Sequence, residues 1–575
     1  FLRIKLNDSQ NRPLFGTKIT LYNEGNKQFL EHTNVRGIYS TSEPILHFGL
    51  NTTKIIDSIV IQWPNETYDV LKNIKTNQLL DLNMTNGIHK INRDIKVNQS
   101  LFIETLDDLP FIYTHKENEF NDYDYQVLLP HKMSQFGPAM AKGDVNNDGL
   151  EDVFIGGAFG IEASIFIADK NGGFLKMQDD IWKNDADYED IDGLFVDING
   201  DGFQDLYVVS GGNEYDANDP HYKDRLYIND SSGSSVIAED YDNDGDLDLF
   251  VGGRHVPHNY PKPAASMLLK NENGQLINRT MEIAPELEKL GMVTDAVWSD
   301  YDNDGDIDLI IVGEWMRITV FENELGTLKN KAIPTLEATS GWWYSIDKGD
   351  FDNDGDMDFI VGNIGLNYKY KTTQEKPFDI YYNDFDNNGS YDIVLGYYNG
   401  EKHYPLRGFS CSSEQIPGLK DKIKKYDLFA SMEIDQVYGQ ENLDSSLHYK
   451  ADTFASSYIE NLGNGSFKIS ALSNMTQLSS INDMLVEDFN GDGHLDVLAV
   501  GNLFVSEIET PRNDAGTGVL LLGDGKGGFD PRGVKESGFF VNKDAKKIIS
   551  VLNGNKKWII VANNNDRLQF YERRP

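Results

Sequence analysis

The chain is nearly without cysteine. Cys411 stands alone in 575 residues, so no disulfide can close within it. Histidine is sparse as well, 11 scattered residues, and no His-x-Glu-His, Gly-x-Ser-x-Gly or Cys/His set marks a zinc or serine-hydrolase centre. Positive charge is short: 52 Lys and Arg stand against 92 Asp and Glu, for a net charge of −40. That balance argues against nucleic acid, which needs basic patches to displace counterions. No apolar run approaches the length of a membrane span. No leader is visible either; the chain opens in the strand-like "FLRIKLN", and we read it as processed or as part of a longer product. Glycine is plentiful at 52, as are tyrosine and phenylalanine at 28 and 30, a composition of turns and strands. A hydrophobic share of 39% can fill packed cores, and the length exceeds one ordinary core, so several domains or a repeat array are expected.

Aspartate is concentrated. "EDYDNDGDLDLFVGG", residues 239–253, sets five Asp within nine positions and then enters an apolar strand. The shape recurs from Gly143, Val196, Ser299, Gly349, Asn383 and Glu487, seven copies in all. Counted from the first Asp, each loop carries a carboxylate or amide at positions 1, 3 and 5, glycine at 6 and Asp at 9. The candidate metal ligands are Asp144, Asn146, Asp148 and Asp152; Asp197, Asn199, Asp201 and Asp205; Asp240, Asp242, Asp244 and Asp248; and Asp300, Asp302, Asp304 and Asp308. The remaining three sets are Asp350, Asp352, Asp354 and Asp358; Asp384, Asp386, Asn388 and Asp392; and Asp488, Asn490, Asp492 and Asp496.

Side chains at 1, 3 and 5 converge on one side of a tight turn, and the glycine permits the φ > 0 kink that wraps it. A backbone carbonyl at 7 and the Asp at 9 complete an oxygen cage. Hard oxygen donors in a flexible loop suit Ca²⁺, whereas Mg²⁺ demands a stricter octahedron and Zn²⁺ takes His or Cys. An EF-hand begins alike but needs Glu at position 12 and flanking helices. Position 12 is Ile155, Val208, Val251, Ile311, Val361, Leu395 or Ala499, each in a strand-like run. Solvated turns that bind nothing would not keep this spacing seven times, and Asn replaces Asp only where another oxygen donor serves. About seven Ca²⁺ are expected, and seven would bring the charge from −40 to −26. Calcium then takes the place of disulfides as the staple of a secreted protein, in loops that fill where calcium nears millimolar.

First Asps are spaced 53, 43, 60, 50, 34 and 104 residues apart, periods of a propeller or another β-repeat array. An apolar strand precedes each loop ("TDAVWSD") and a second follows ("DIDLIIVG"). A third reads "RITVFENELG", "SMLLKNENG" or "SSYIENLGNG", and a weaker fourth follows Gly-x-Phe. Innermost strands are expected to be small and apolar, as a crowded axis requires. The 43-residue interval leaves little room for a fourth strand, which is either lost or reflects residues absent near 230–235. The 104-residue interval has helical spacing over about 405–445 and reads as an insertion. An eighth unit, "KKIISVLNGNKKWIIVANNNDRLQFYE", lacks the loop, and a strand near "SLFIETLDDLPFIYTH" would close the ring. The expected fold is all-β, a propeller of seven or eight blades plus a small N-terminal β-domain; eight follows unless the Asp384 loop pairs differently.

These loops and their "FVGG"-like strands resemble the FG-GAP/VCBS repeats of integrin-type and bacterial surface propellers. "VRGIYSTSEPILHFGLN" and "IDSIVIQWPNETYDVLKNI" resemble the ASPIC/UnbV domain of the cartilage acidic protein family. "RHVPHNYPKP", "GMVTDAVWSDYDNDGD", "VGEWMRITVF" and "GWWYSIDKGDFDNDGD" are most similar to the large Bacteroidetes-type members. The resemblance implies residues 1–95 as an ASPIC/UnbV-like domain, 96–575 as the propeller, calcium binding, and an extracellular or outer-membrane location. It implies no activity. The expected role is binding a protein or glycan at the bacterial surface, with an outer-membrane transporter assembly as partner by family analogy.

The competing expectation is a carbohydrate-active enzyme, a polysaccharide lyase or hydrolase, with its site in the central pocket. The Asp are committed to loops, so no catalytic pair can be singled out. Arg254, His255, His258 and Tyr260 follow a second strand and mark a sugar or peptide site or, more plainly, a structured loop. Trp315, Trp342 and Trp343 are stacking platforms or packing between blades. Sequons such as Asn51, Asn65, Asn83 and Asn278 reflect an Asn-rich composition, and Arg36-Gly37-Ile38 is no Arg-Gly-Asp signal.

Overall fold

The structure is a computed structural model that describes all residues except 9, 11, 24, 36–39, 66, 85–88, 91–99, 108, 178–180, 229–236, 464 and 575. Two compact units result, Phe1–Asn98 and Gln99–Pro575. The boundary expected between 95 and 96, Arg36-Gly37 and the interval near 230–235 lie outside the described residues.

In the first unit, Leu2–Asn7 runs antiparallel to Ile45–Phe48 and parallel to Gln78–Asn83. A second sheet orders Asn26–Glu31, Lys18–Asn23, Ile55–Gln62, Thr67–Lys75 and His89–Lys90. Period-two alternation in "LRIKLN" and "IIDSIVIQ" sends Leu2, Ile4, Leu6, Ile56, Ile59 and Ile61 into one core with residues of the other strands.

The second unit is a β-propeller of seven blades. Blade 1 comprises Met140–Gly143, Asp152–Ile155, Ser164–Ala168 and Phe174–Lys176; blade 2, Asp190–Val196, Asp205–Ser210 and Arg225–Tyr227. Blade 3 comprises Ile237–Glu239, Asp248–Val251, Met267–Asn271 and Leu276–Asn278; blade 4, Met292–Ser299, Asp308–Met316, Thr319–Asn323 and Leu328–Lys331. Blade 5 is Gly341–Gly349, Asp358–Asn363, Ser457–Asn461 and Phe467–Ala471, and blade 6 is Ile481–Glu487, Asp496–Gly501, Val519–Gly523 and Phe529–Arg532. Blade 7 takes Ala545–Asn553, Lys556–Asn563 and Gln569–Arg573 from the C-terminus, and Phe102–Thr105 pairs antiparallel with Gln569–Arg573 as its outer strand. The two ends of the unit thus close the ring, as the strand near "SLFIETL" suggests. The first strand of blade 7 packs against that of blade 1, and those of blades 3 to 7 pack successively.

Of the seven or eight blades expected, the described residues form seven, because the Asp384 loop pairs outside the ring. The Asp384 loop joins Phe378–Asn383 to Asp392–Asn399 in a separate four-stranded sheet with Lys402–Pro405 and Leu447–Ala451. This sheet and five short helices between Phe409 and Asp444 are inserted between the second and third strands of blade 5. A hairpin around this loop is locally identical to the first two strands of a blade. Only the long-range pairing of Asp358–Asn363 with Ser457–Asn461 tells them apart.

An asparagine ending the third strand ties neighbouring blades together. Asn271 donates to Ile198 O at 2.8 Å, Asn323 to Tyr241 O at 2.7 Å and Asn461 to Tyr301 O at 2.6 Å, each acceptor lying in the preceding blade's Asp-rich loop. All three are buried. Replacing Asn323 by alanine orphans Tyr241 O and the Gly326 N–H that its Oδ1 accepts; urea unfolding should show a loss of about 2–3 kcal/mol.

Candidate metal centre

Each loop joins the first strand of its sheet to the second. In all seven, the position-1 Asp accepts the backbone N–H groups of positions 5 and 6 at 2.7–3.2 Å. Position 6 is Gly149, Gly202, Gly245, Gly305, Gly355, Gly389 or Gly493, with φ between +86° and +101°. A Cβ there would meet nothing within 4 Å, so the backbone conformation, rather than space, demands glycine. Position 4 also has positive φ: Asn147, Asn243, Asn303, Asn353 and Asn387, with Gly200 and Gly491 in the other two. Asn and Gly tolerate that region best. The motif "DNDG" or "NGDG" displays this requirement, which a ligand-only reading passes over.

The position-9 Asp is the buried member. Asp152, Asp205, Asp248, Asp358 and Asp496 are wholly buried, Asp308 and Asp392 nearly so. One oxygen accepts the position-2 N–H in six loops, from Val145, Ile198, Tyr301, Phe351, Phe385 and Phe489. The other accepts a third-strand N–H from Ala168, Asn271, Asn323, Asn461 or Gly523. Position 9 is therefore a bracket between loop and sheet as well as a candidate ligand. Burial pushes the carboxyls of Asp152 and Asp358 up to about 6 and those of Asp248, Asp308 and Asp392 up to about 7, so each favours a proton or a nearby cation.

Four loops bring carboxylate oxygens within 4.8 Å of one another: Asp240, Asp242 and Asp248; Asp300, Asp302 and Asp304; Asp350, Asp352 and Asp358; and Asp384, Asp386 and Asp392. These are the loops with Asp at position 3; the others carry Asn146, Asn199 and Asn490 there. Buried Asp242 Oδ1, Asp248 Oδ2 and Asp302 Oδ1 have no hydrogen-bond partner. An all-oxygen donor set with orphaned carboxylate oxygens fits a hard divalent cation. These Asp-rich groups could bind metal ions.

The alternative sites resolve differently. Arg254 pairs with Glu314 at 3.0 Å and lies 3.8 Å over the Phe136 ring. His258 binds the backbone and side chain of Asn213 and stacks on Tyr125, while Tyr260 and His131 both meet Glu314 Oε1. His255 is only partly exposed, and burial lowers its pKa to about 3. The segment is a structured loop. Trp315, Trp342 and Trp343 are core residues, at most 3% exposed.

The innermost strands are not uniformly small and apolar as expected. After β-bulges in the first strands stand Asp192, Asp295, Asp483 and Lys547. Lys547 reaches Asp192 at 3.1 Å, and Asp295 and Asp483 accept the N–H of Ile346 and Ile548 in the following blade. A cavity of about 160 Å³ lies among Asp192, Asp295, Lys547, Arg254 and Tyr344. The bulge frees these side chains from the strand ladder, which sequence alternation alone does not reveal.

A second buried cluster escapes the sequence entirely. His115 and Glu117 bring unpartnered His115 Nε2 and Glu117 Oε2 to the region of Glu189, whose Oε1 is also unpartnered. Burial pushes Glu117 up to about 8 and His115 down to about 3. Stability from a carboxyl held protonated is whole below its unfolded value of 4.5 and is lost as pH rises through about 8. Stability from His115 is whole above 6.5 and is lost as pH falls toward about 3. Urea unfolding should show stability falling from pH 6 to 9, with a shallower fall in Glu117→Gln; equal slopes would reject the assignment.

Residues 7–89 match the family described as ASPIC and UnbV, and residues 300–361, spanning the loops of blades 4 and 5, match the FG-GAP-like repeat. Curated proteins give no match. Among solved structures, the V. cholerae biofilm matrix protein Bap1 is 10% identical over 80% of this chain and 90% of its own, with a TM-score of 0.33. The Dos1 propeller is 10% identical over 80% and 95%, with a TM-score of 0.30. S. cerevisiae Sqt1 is 10% identical over 77% and 97%, with a TM-score of 0.32.

Proposed function

The chain joins an ASPIC/UnbV domain to FG-GAP-like repeats on a propeller, and from that premise we propose an exported, calcium-stabilised module that binds a protein or glycan partner. Its place is the surface of a Gram-negative bacterium, as an accessory of an outer-membrane transporter assembly. Among the described residues no helix is long and apolar enough to cross a membrane. Calcium is the ion of choice because every donor is oxygen and the loops are irregular. It would be held by the residues at positions 1, 3, 5 and 9, where it supplies positive charge to a carboxylate cluster and fixes the turn between two strands.

The observation that carries the binding reading is the insertion in blade 5. Tyr397, Tyr404, Phe409, Tyr426 and Phe429 line an open groove of about 400 Å³, and Tyr426 is 67% exposed. Aromatic rings on a rigid scaffold are the usual anchors for peptide and sugar ligands. Because it lies between second and third strands, the insertion departs from the end of the blade-5 sheet opposite the cage. The enzymatic alternative would use the axial cavity of about 160 Å³, roughly half the ~300 Å³ at which small-molecule sites begin, and Lys547 there is already paired with Asp192.

Calcium-loaded protein on glycan and peptide arrays tests the reading, with Tyr404→Ala/Tyr426→Ala as the comparison. Binding lost in the double variant, at a melting temperature within a few degrees of the native chain, supports it. No ligand on either array, or equal binding by both proteins, counts against it.

A further inference from the structure

The loops are not equivalent, and blade 3 is the exception. Lys270, near the end of the third strand, sets Nζ against Asp242 Oδ2 and 3.0 Å from Asp244 Oδ2, positions 3 and 5 of the loop. The residue in the same register, just before the asparagine that ties to the preceding blade, is Glu322 in blade 4 and Glu460 in blade 5. Those glutamates pair with Lys331 and Lys468 of their own fourth strands. Blade 3 also breaks the position-9 pattern. In the other six loops that Asp accepts the position-2 N–H, whereas Asp248 Oδ2, on a wholly buried residue, has no partner, and neither does Asp242 Oδ1. Asp240, Asp242 and Asp248 still bring oxygens within 4.8 Å. An ammonium therefore sits on one side of a cage whose other side keeps orphaned carboxylate oxygens.

We propose that Lys270 is a tethered counter-cation of the blade-3 loop, which competes with the metal and makes this loop the last of the seven to fill. The inference rests on the calcium reading above. With calcium scarce, the ammonium offsets one of the loop's five carboxylate charges and holds Asp242 and Asp244 together, so the turn persists without an ion. An incoming divalent ion meets a like charge a few ångströms away and must turn Lys270 outward, which its flexible stem allows. Blade 3 then responds to calcium over a higher range than its neighbours.

Isothermal titration and equilibrium dialysis with calcium alone test this on the full chain. The native protein should show one weak site beside a tighter class. Lys270→Gln should tighten the weak site roughly tenfold, the effect of removing a unit charge beside a divalent ion in an exposed loop. Lys270→Arg keeps the charge and should leave the site weak. Lys176→Gln, whose native ammonium pairs with Glu162, carries the same change of net charge and should shift nothing. Native isotherms with all sites equal, or Lys270→Gln unchanged from native, would overturn the role of Lys270 while leaving the calcium reading intact. Native protein that binds no calcium would overturn the reading itself.

Discussion

Asp358→Ala should cost about 3–5 kcal/mol of folding free energy, with or without calcium. The residue is wholly buried, and its carboxylate accepts three bonds: Phe351 N–H at 3.2 Å, Tyr458 Oη at 2.7 Å and Asn461 N–H at 2.8 Å. Alanine leaves three buried donors unsatisfied, one at position 2 of the loop and two on the third strand, so blade 5 loses the bracket that joins loop to sheet. Asp352→Ala, at position 3 of the same loop, removes an outlying carboxylate and should cost less than about 1 kcal/mol in EGTA. With calcium present, Asp352→Ala should lose one bound ion and the stabilisation linked to it. Chemical denaturation of both variants under both conditions checks this. A metal-free Asp358→Ala within 1 kcal/mol of the native chain would show that position 9 serves only the ion.

Chelation should produce the largest shift of all. A ligand that binds only the folded state at a hundred times its dissociation constant contributes about 2.7 kcal/mol per site, and several such sites together rival the whole stability of a domain. Transfer from millimolar calcium to EGTA should therefore lower the propeller's melting temperature by roughly 15 °C or more. The first unit, which carries none of these loops, should keep its own transition. A propeller transition unmoved by EGTA would mean that the loops are held by their own N–H to carboxylate bonds.

Much of the ring is legible in the chain because six of the seven blades carry the Asp-rich loop before an apolar second strand, and blades 3 to 5 end the third strand in Asn. The closing strand Phe102–Thr105 is also legible, since Gln569–Arg573 visibly lacks an outer neighbour within its repeat. The blade count is not, because Phe378–Asn383 and Asp392–Asn399 carry the same hairpin code in an inserted sheet, and only pairing across nearly a hundred residues distinguishes them. The metal loops are legible as ligand patterns but not as brackets, because the second oxygen of Asp358 finds its N–H on Asn461, about a hundred positions away. Asp192, Asp295 and Lys547 on the axis were hidden by bulges, which shift side-chain direction without any mark in the hydrophobic pattern.

The most direct test of the account is a count of bound ions: elemental analysis of the full chain after exchange from millimolar calcium into chelator-treated buffer. About seven calcium ions per chain, falling to about six at low free calcium as blade 3 empties, is the predicted result. A chain that emerges with none, or with a stoichiometric transition metal instead, would contradict it.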